Sequence, residues 1–169
     1  MEVKRMTFKR NLKFLGWTIV YFSLPVILFI SLLIVSYQKT GQLQWVDTAS
    51  KSGIVFLIIS IVTVPGFILH LKYYKKDKGK SLNFRPTYFE ITQDSYTNKI
   101  YYKDIVRIEK HYSSWSYRNP WSDYGYIKIV LNDNSIFSYS CLTHDFISSP
   151  SIFKKNGVVI EDWEEFYPW

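Results

Sequence analysis

Two long apolar runs without Lys, Arg, Asp or Glu occupy the first half of the chain. They span Leu15–Gln38 and Ser52–Leu71, and a short polar link separates them. An α-helix rises about 1.5 Å per residue, so about 20 apolar residues cross the roughly 30 Å hydrocarbon core of a bilayer. The pattern therefore predicts two transmembrane helices, at about 14–37 and 52–73, that form an N-terminal helical hairpin.

After residue 80 the chain changes to short segments rich in Tyr, Phe, Ile and Val, which Asn, Asp, Ser, Gly and Pro separate. Short segments in which apolar and polar residues alternate, bounded by turn residues, are typical of antiparallel strands. The predicted strands are Phe84–Thr92, Tyr96–Tyr102, Ile105–Tyr112, Tyr124–Leu131 and Ser135–Cys141. One short helix is also predicted, which begins at Ser149-Pro150 and stops at Asn156-Gly157.

Charge is distributed unevenly and sets the predicted orientation. Residues 1–80 contain 12 basic and 3 acidic residues, a net charge of +9, whereas residues 81–169 contain 9 basic and 11 acidic residues, a net charge of −2. Of the 12 basic residues in the first part, only Lys39 and Lys51 lie in the link between the two runs. By the positive-inside rule, both termini face the cytoplasm and the link faces outward, in the cytoplasmic (inner) membrane. Because the positive charge flanks the spans, it does not indicate a nucleic-acid partner.

These patterns divide the chain into a two-helix transmembrane anchor over residues 1–80 and a cytoplasmic β-rich domain over residues 81–169. The main alternative for the first run is a secretory signal peptide, whose apolar region has about 7–15 residues. The run is longer than that, and no small-residue cleavage site follows it. We therefore expect an α+β membrane protein, with a transmembrane helical hairpin followed by a small antiparallel β-rich domain.

The chain resembles a known family around the third predicted strand. Tyr102, Asp104, Ile105 and Ile108 match the aromatic-x-Asp-Ile-x-x-Ile stretch of bacterial pleckstrin-homology-like (PH-like) domains. Such domains are found behind membrane hairpins in small bacterial proteins, and the chain has the same order of hairpin and domain. The resemblance implies a PH-like fold for the β-rich domain.

Two features depart from that family. The segment Leu142–Asn156 is short and interrupted, whereas the family usually closes its fold with a long amphipathic helix. The first hairpin loop, Thr92–Ser95, has no Lys or Arg, although relatives that bind phosphoinositides carry a basic cluster there. Inositide recognition is therefore not implied.

The most unusual local composition is an aromatic-rich segment between two predicted strands, Tyr112–Tyr126. Tyr, Trp and Arg dominate binding hot spots because they give a large contact area at a low entropic cost. The residues predicted to bind a protein partner are Trp115, Tyr117, Arg118 and Trp121. Two alternatives stay open: the loop folds its rings onto the domain, or the rings enter the headgroup layer beside the anchor.

A basic stretch follows the second apolar run and would lie against the inner leaflet. Its predicted contacts with lipid headgroups come from Lys72, Lys75, Lys76, Lys78 and Lys80. The alternative is that these residues only determine the topology. The acidic and aromatic tail, residues 161–169, would pack its rings on the sheet, pair with this basic stretch or bind a partner protein.

The sequence offers little support for catalysis or for a bound metal. Cys141 is the only cysteine, so neither an intrachain disulfide nor a thiolate metal cluster is possible. His144 and Asp145 follow it closely, but nothing supplies the oxyanion pocket that a nucleophilic cysteine needs. The histidines lack the paired spacing of zinc ligands, and the glycines form no phosphate-binding loop. We therefore expect a non-enzyme without cofactor or metal.

These expectations combine into a membrane-anchored cytoplasmic module that binds or scaffolds a protein partner. The alternatives are an immunity or defence component that protects the membrane against a toxin, and an accessory subunit of a larger membrane complex. A channel or transporter is disfavoured, because transport sites usually need ionisable residues within the spans. The two runs contain no Asp, Glu, Lys or Arg.

Overall fold

A computed structural model describes residues 3–113, 121–145 and 150–168, and it places two long helices beside two four-stranded sheets. The helices are α1 (Phe8–Thr40), α2 (Trp45–Asp77) and the short α3 (Pro150–Lys155). The strands are β1 (Lys4–Arg5), β2 (Lys80–Phe84), β3 (Tyr88–Gln93), β4 (Tyr96–Tyr101), β5 (Ile105–Ser113), β6 (Gly125–Leu131), β7 (Ile136–Ser140) and β8 (Ile160–Glu165).

Helix α1 begins and ends at residues whose chemistry favours those positions. The Thr7 hydroxyl accepts a hydrogen bond from the backbone N of Arg10 at 3.2 Å, which caps the N-terminus. Gly41 has a φ of +67°, and its N–H donates to the carbonyl oxygen of Tyr37 at 2.8 Å. Glycine adopts this left-handed conformation without steric cost, so it ends the helix and allows the short turn into α2.

Helix α2 is bent rather than straight. Its two parts, Trp45–Ile61 and Thr63–Asp77, meet at an angle of 44°. Pro65 has no backbone N–H to donate to the carbonyl of Ile61, and its ring crowds that turn of the helix. A proline at this position accounts for the bend.

One unbent helical segment among the described residues, Thr18–Thr40, is long and apolar enough to cross a membrane. Only 17% of its apolar stretch is buried, whereas a helix at the centre of a soluble fold is mostly buried. Helix α2 meets the same criterion if its two bent parts count as one span. The membrane hairpin with spans at about 14–37 and 52–73 therefore stays a prediction, although both ranges lie within α1 and α2.

Two four-stranded sheets form the rest of the fold. The first sheet has the order β1-β2-β3-β4 and is antiparallel throughout. The second sheet has the order β7-β6-β5-β8, and it is antiparallel except that β8 runs parallel to β5. The combination of helices with largely antiparallel sheets confirms the α+β part of the predicted fold class.

Three strands differ from the sequence prediction. The single strand predicted over Phe84–Thr92 contains the last residue of β2, a turn and most of β3, because Pro86 cannot donate to a ladder and Arg85 N instead bonds to Tyr88 O at 2.8 Å. Strand β1 precedes α1 in sequence but pairs with β2. Strand β8 lies in the tail, beyond the last of the five predicted strands.

The hydrophobic core contains residues from both sheets and from α3. Leu82 and Phe89 of the first sheet and Ile108 and Ile129 of the second are fully buried in one continuous cluster. Phe153 of α3 is also fully buried, with its ring 5.6 Å from that of Phe89 in an edge-on arrangement. The predicted short helix is therefore confirmed, and its one large buried ring attaches it to the sheets.

Candidate binding site at the junction of helices and sheets

Helix α2 ends in a carboxylate that is buried against the second sheet. Asp77 Oδ2 accepts hydrogen bonds from Ser140 N at 2.8 Å, from Ser140 Oγ at 2.6 Å and from Thr143 Oγ1 at 2.7 Å. Its Oδ1 lies 3.6 Å from Nζ of Lys80. We call this contact between the end of α2 and the end of β7 the junction.

The position of Asp77 explains why the sheet has to supply these donors. The C-terminal end of a helix carries a partial negative charge, so an acidic residue there is unfavourable unless other groups compensate. A buried carboxylate also loses its hydration, and a hydrogen bond to a charged group contributes about 1.5–3 kcal/mol. The three donors therefore hold α2 in one position on the sheet.

The five lysines predicted to contact headgroups occupy different environments. Lys80 is 8% exposed, and its Nζ donates to the carbonyl oxygen of Ser138 at 2.8 Å, so it belongs to the junction. Lys76 is exposed, and its Nζ lies 5.0 Å from the ring centre of Tyr126. Also exposed around the end of α2 are Lys72, Lys75 and Lys78. Headgroup contact by Lys80 would break its bonds in the junction, whereas for the other four lysines it stays a prediction.

Tyr124 connects both long helices to the second sheet. Its hydroxyl donates to the carbonyl oxygen of Phe14 in α1 at 3.3 Å and lies 2.8 Å from Nδ1 of His70 in α2. The ring of Tyr73 lies 5.8 Å away. Burial raises the pKa of the Tyr124 hydroxyl, so the group stays protonated and keeps its proton for hydrogen bonding.

The tail after β8 folds back along α2. The carbonyl of Pro168 accepts a hydrogen bond from the Tyr73 hydroxyl at 2.7 Å, and the Tyr167 hydroxyl donates to the carbonyl of Pro65 near the bend. The ring of Tyr167 also packs edge-on against Trp121, with 5.9 Å between ring centres. Of the alternatives predicted for the tail, the described residues show packing of its rings.

This packing covers one residue of the predicted partner site. Trp121 is 5% exposed beneath the rings of the tail, so a partner could reach it only if the tail moved. Trp115, Tyr117 and Arg118 lie outside the described residues. Partner binding by those three residues stays a prediction, and Trp121 is better explained as a support for the tail.

A cleft of about 770 Å³ lies beside the junction, between the start of α1 and the turn after β7. Its basic lining residues are Lys4, Arg5, Lys9, Arg10 and Lys13. Thr143, His144 and Asp145 form the other wall. Arg10 ties the two walls together, because its Nε donates to the carbonyl oxygen of Cys141 at 2.7 Å. We call this feature the basic cleft.

Comparison with known families identifies the fold. A family model described as a PH domain matches residues 4–148, which is most of the chain. The chain belongs to the PH domain family. PH domains often bind proteins or lipids, and membership therefore suggests a binding or scaffold module. No curated protein matches the chain.

The family match confirms the PH-like domain that the sequence resemblance implied. The matched residues begin at β1 and extend past β7, so they include both long helices as well as seven of the strands. The junction and all of the basic and polar residues named above for the basic cleft lie within the matched range. The two features are therefore built into the matched part of the chain. We use the term PH domain for the two sheets with α3, and we name the helices α1 and α2 separately.

A charged network crosses one face of the second sheet of the PH domain. The Glu109 carboxylate accepts hydrogen bonds from Lys128 Nζ at 2.7 Å and Arg107 Nε at 2.9 Å. His111 lies between two acids, with Nε2 3.4 Å from Glu109 and Nδ1 2.5 Å from Glu165. Burial by itself raises the pKa of Glu109, but the hydrogen bonds from Lys128, Arg107 and His111 outweigh it and lower the pKa below its usual range. These groups form hydrogen bonds with one another and so connect β5, β6 and β8.

The cysteine and histidine singled out in the sequence are packed inside the PH domain. Cys141 is fully buried, and burial raises the pKa of its thiol far above the usual range. Reactive cysteines need the opposite shift, because the thiolate is the nucleophile. The His144 ring is buried 5.3 Å from that of Phe84. Among the described residues, no group of three His, Cys, Asp or Glu side chains could hold a metal ion.

The sequence interpretation missed Asp77, the residue that fixes α2 to the PH domain. One signal was present, because Asp77 is the only acidic residue between Lys72 and Lys80. A lone acid at the end of a predicted helix and inside a basic stretch needs a compensating partner. That partner, Ser140, lies 63 positions away, so its identity could not be predicted from local patterns.

Proposed function

We propose that this protein is a membrane-anchored, non-catalytic PH domain that binds or scaffolds a protein partner. Helices α1 and α2 cross the cytoplasmic membrane as a hairpin, and both termini lie in the cytoplasm. The observation that carries this proposal is a helix pair with an exposed apolar surface at one end and a buried polar junction with the PH domain at the other.

The exposed apolar surface supports the membrane assignment. Ile27 of α1 is 57% exposed and Leu57 of α2 is 65% exposed. Other large apolar side chains along both helices are also exposed. Soluble monomers rarely expose large contiguous apolar patches, whereas lipid tails cover such a surface at no cost. The helical backbone satisfies its own hydrogen bonds, as a membrane span requires.

The junction supports a module with a fixed orientation. Asp77 attaches the end of α2 to the second sheet, and Tyr124 attaches the same sheet to α1 as well as α2. Two helices held at separate points cannot rotate independently of the PH domain. The domain would therefore present the same face to the inner leaflet at all times.

Cysteine labelling tests the anchor and its orientation. Gln42→Cys places an exposed thiol in the turn between the helices, and Tyr96→Cys places one on a side chain position that is 81% exposed in the PH domain. We expect an impermeant maleimide to label Gln42→Cys in intact cells and Tyr96→Cys only after permeabilisation. The unmodified chain is the control, since Cys141 is buried and should not react. The reverse labelling pattern would overturn the orientation.

The partner site is proposed at the segment that contains Trp115, Tyr117 and Arg118. Replacing all three with Ala should reduce recovery of crosslinked membrane partners about tenfold or more, as expected for hot-spot residues. The matched control replaces Lys154 and Lys155, which are exposed at the end of α3. Unchanged recovery of every partner with the triple variant would refute this location. The described residues contain no contact that specifically favours the immunity or accessory-subunit alternatives.

A further inference from the structure

We propose that the tail, residues 161–169, inhibits partner binding by covering Trp121 and the adjoining surface of α2. A protein partner with acidic and aromatic side chains binds this surface when the tail is displaced. The proposal rests on the partner binding proposed above and adds its regulation. Trp121 supports the tail while the tail is bound, and it becomes a contact for the partner after release.

The tail lies outside the part of the chain that matches the family. The match ends at residue 148, so it includes Trp121, β5 and both long helices but neither α3 nor β8. Strand β8 pairs with the edge of β5, and the residues after it return to α2. The surface under the tail is therefore part of the matched fold, whereas the tail that covers it is an addition.

The tail is attached with little buried side-chain area. Of residues 161–168, only Pro168 is buried, and Phe166 is 62% exposed. Just before the tail, by contrast, Phe153 and Val158 lie in the hydrophobic core. Segments with few buried contacts open at a lower free energy than the core does. The tail can therefore leave the surface while α3 and the other strands stay folded.

The surface under the tail contains two large aromatic rings. Trp121 is 5% exposed, and the rings of Phe166 and Tyr167 lie edge-on to it, with ring centres 6.3 and 5.9 Å away. Tyr73 is 1% exposed, and its hydroxyl donates to the carbonyl oxygen of Pro168 at 2.7 Å. Trp and Tyr are enriched in binding hot spots. Displacement of the tail therefore presents both rings to a partner.

The charges beside these rings select the chemistry of the partner. On β5, Arg107 Nε lies 3.6 Å from a carboxylate oxygen of Glu161, and Lys110 Nζ lies 3.1 Å from one of Asp162. A partner segment with acidic side chains restores these ion pairs after the tail leaves, whereas a basic segment meets like charges. The tail itself contains four acidic and four aromatic residues, and it shows the composition that fits.

Binding of a synthetic peptide with the sequence of residues 158–169 tests the proposal on the full chain in detergent micelles. The peptide is fluorescent, and anisotropy gives its Kd. The attached tail competes at an effective concentration on the order of 1 mM, so we expect weak binding to the native chain. Phe166→Ala/Tyr167→Ala removes the rings that pack on Trp121 but leaves the surface unchanged, so this variant should bind about tenfold more tightly. Tyr96→Ala removes an exposed ring outside the tail and should bind like the native chain.

A disulfide that locks the tail provides an independent test. Lys110 and Asp162 are partners on β5 and β8, and neighbouring strands lie about 4.8 Å apart, within the range of Cα distances that a disulfide spans. The oxidised form of Lys110→Cys/Asp162→Cys should bind the peptide about tenfold more weakly than its reduced form. The variant without the two rings provides the test if the disulfide does not form. Equal affinities of the oxidised and reduced forms, or of the native chain and the ring variant, would overturn the proposal.

Altered peptides test the chemistry of the partner. A peptide with the changes Glu161→Lys/Asp162→Lys should bind the ring variant about tenfold more weakly, because its charges have the same sign as those of β5. A peptide with Phe166→Ala/Tyr167→Ala should also bind more weakly, because it lacks the rings that contact Trp121. If all three peptides bound equally, a partner with acidic and aromatic side chains would be excluded.

Recovery of crosslinked partners from isolated membranes separates this proposal from its premise. Recovery should rise with Phe166→Ala/Tyr167→Ala and fall with the oxidised disulfide. Equal recovery with the tail locked and released, together with loss of partners in the triple variant of the proposed partner segment, would refute the inhibition alone. If no variant recovers a partner although the peptide binds as expected, the proposed partner binding itself is refuted.

Discussion

The two parts of α2 belong to one helix but meet different surroundings. In the part before the bend, Leu57 is 65% exposed, and similar apolar neighbours share that exposure. In the part after the bend, Leu69 is completely buried, and Asp77 is buried with three hydrogen-bond donors. A run of similar hydropathy therefore contains a surface suited to lipid and a surface that packs on the PH domain.

Hydropathy alone therefore does not predict which part of this apolar helix is covered by the rest of the fold. The second apolar run continues through the bend to Leu71, yet the PH domain already covers Leu69. The bend near Pro65 marks the change, and the Tyr167 hydroxyl bonds to the carbonyl of that proline. If the two parts of α2 differ in this way, equivalent substitutions in them should change the free energy of unfolding by different amounts.

The largest difference in unfolding free energy should be between variants of the two acidic residues of α2. Asp77→Ala leaves the donors of Ser140 and Thr143 and the charge of Lys80 without their acceptor, so we expect a loss of about 3–5 kcal/mol in unfolding free energy. Asp47 pairs with Lys51 at the exposed start of the helix, and Asp47→Ala should cost less than about 0.5 kcal/mol. Thermal unfolding in detergent micelles, followed by near-ultraviolet circular dichroism, measures both. Equal losses would contradict the special role of the junction.

The next contrast compares two leucines of the same helix. Leu69→Ala should leave a cavity against the PH domain and cost about 2–5 kcal/mol. Leu57→Ala removes a side chain that faces outward, so we expect a change below about 1 kcal/mol in the same micelle experiment. If Leu57→Ala were as costly as Leu69→Ala, the first part of α2 would be packed against protein rather than lipid.

A smaller effect should follow from removing one hydroxyl. Tyr124→Phe keeps the buried ring but removes the group that bonds to Phe14 O and His70 Nδ1, so we expect a loss of about 1–2 kcal/mol. Tyr96→Phe is the control. Tyr96 is 81% exposed, so loss of its hydroxyl should have no measurable effect on the free energy of unfolding. Identical melting of both variants would show that Tyr124 does not fasten the helices.

The smallest expected effect is a change in how the melting temperature depends on acid pH. It involves a residue of the second sheet and neither long helix. The pKa of Glu109 is lower in the folded chain than in the unfolded chain, because its hydrogen bonds outweigh the effect of burial. Its carboxylate therefore stabilises the fold above the ordinary Glu pKa, and that contribution disappears as the pH falls through the lower, folded value. Glu109→Gln should flatten the acid side of a plot of melting temperature against pH. An unchanged slope would show that other carboxylates dominate.

Local patterns in the sequence predicted the elements well. The apolar runs, the alternating strands and the short helix that begins at Ser149-Pro150 and stops at Asn156-Gly157 all depend on neighbouring residues, and each has a counterpart in the structure. The match to the PH domain family agrees with the resemblance carried by Tyr102, Asp104, Ile105 and Ile108. These features are local, so a single sequence contains enough information for them.

The contacts that build the site are not local and escaped prediction. Strand β1 pairs with β2 across both long helices, and β8 pairs in parallel with β5 from the tail. Asp77 finds its donors on β7, and Trp121 is covered by the rings of the tail. Each pairing depends on the completed fold, where burial rather than composition decides whether an aromatic or charged side chain is available to a ligand.

In the proposed membrane anchoring, the first part of α2 lies in lipid while the PH domain lies in water. A nitroxide label at Leu57→Cys in a reconstituted bilayer tests it directly, with a label at Tyr96→Cys as the aqueous reference. We predict that oxygen relaxes the Leu57 label strongly and a polar nickel complex hardly at all, with the opposite result at position 96. Equal access of the nickel complex to both labels would contradict a membrane-anchored PH domain.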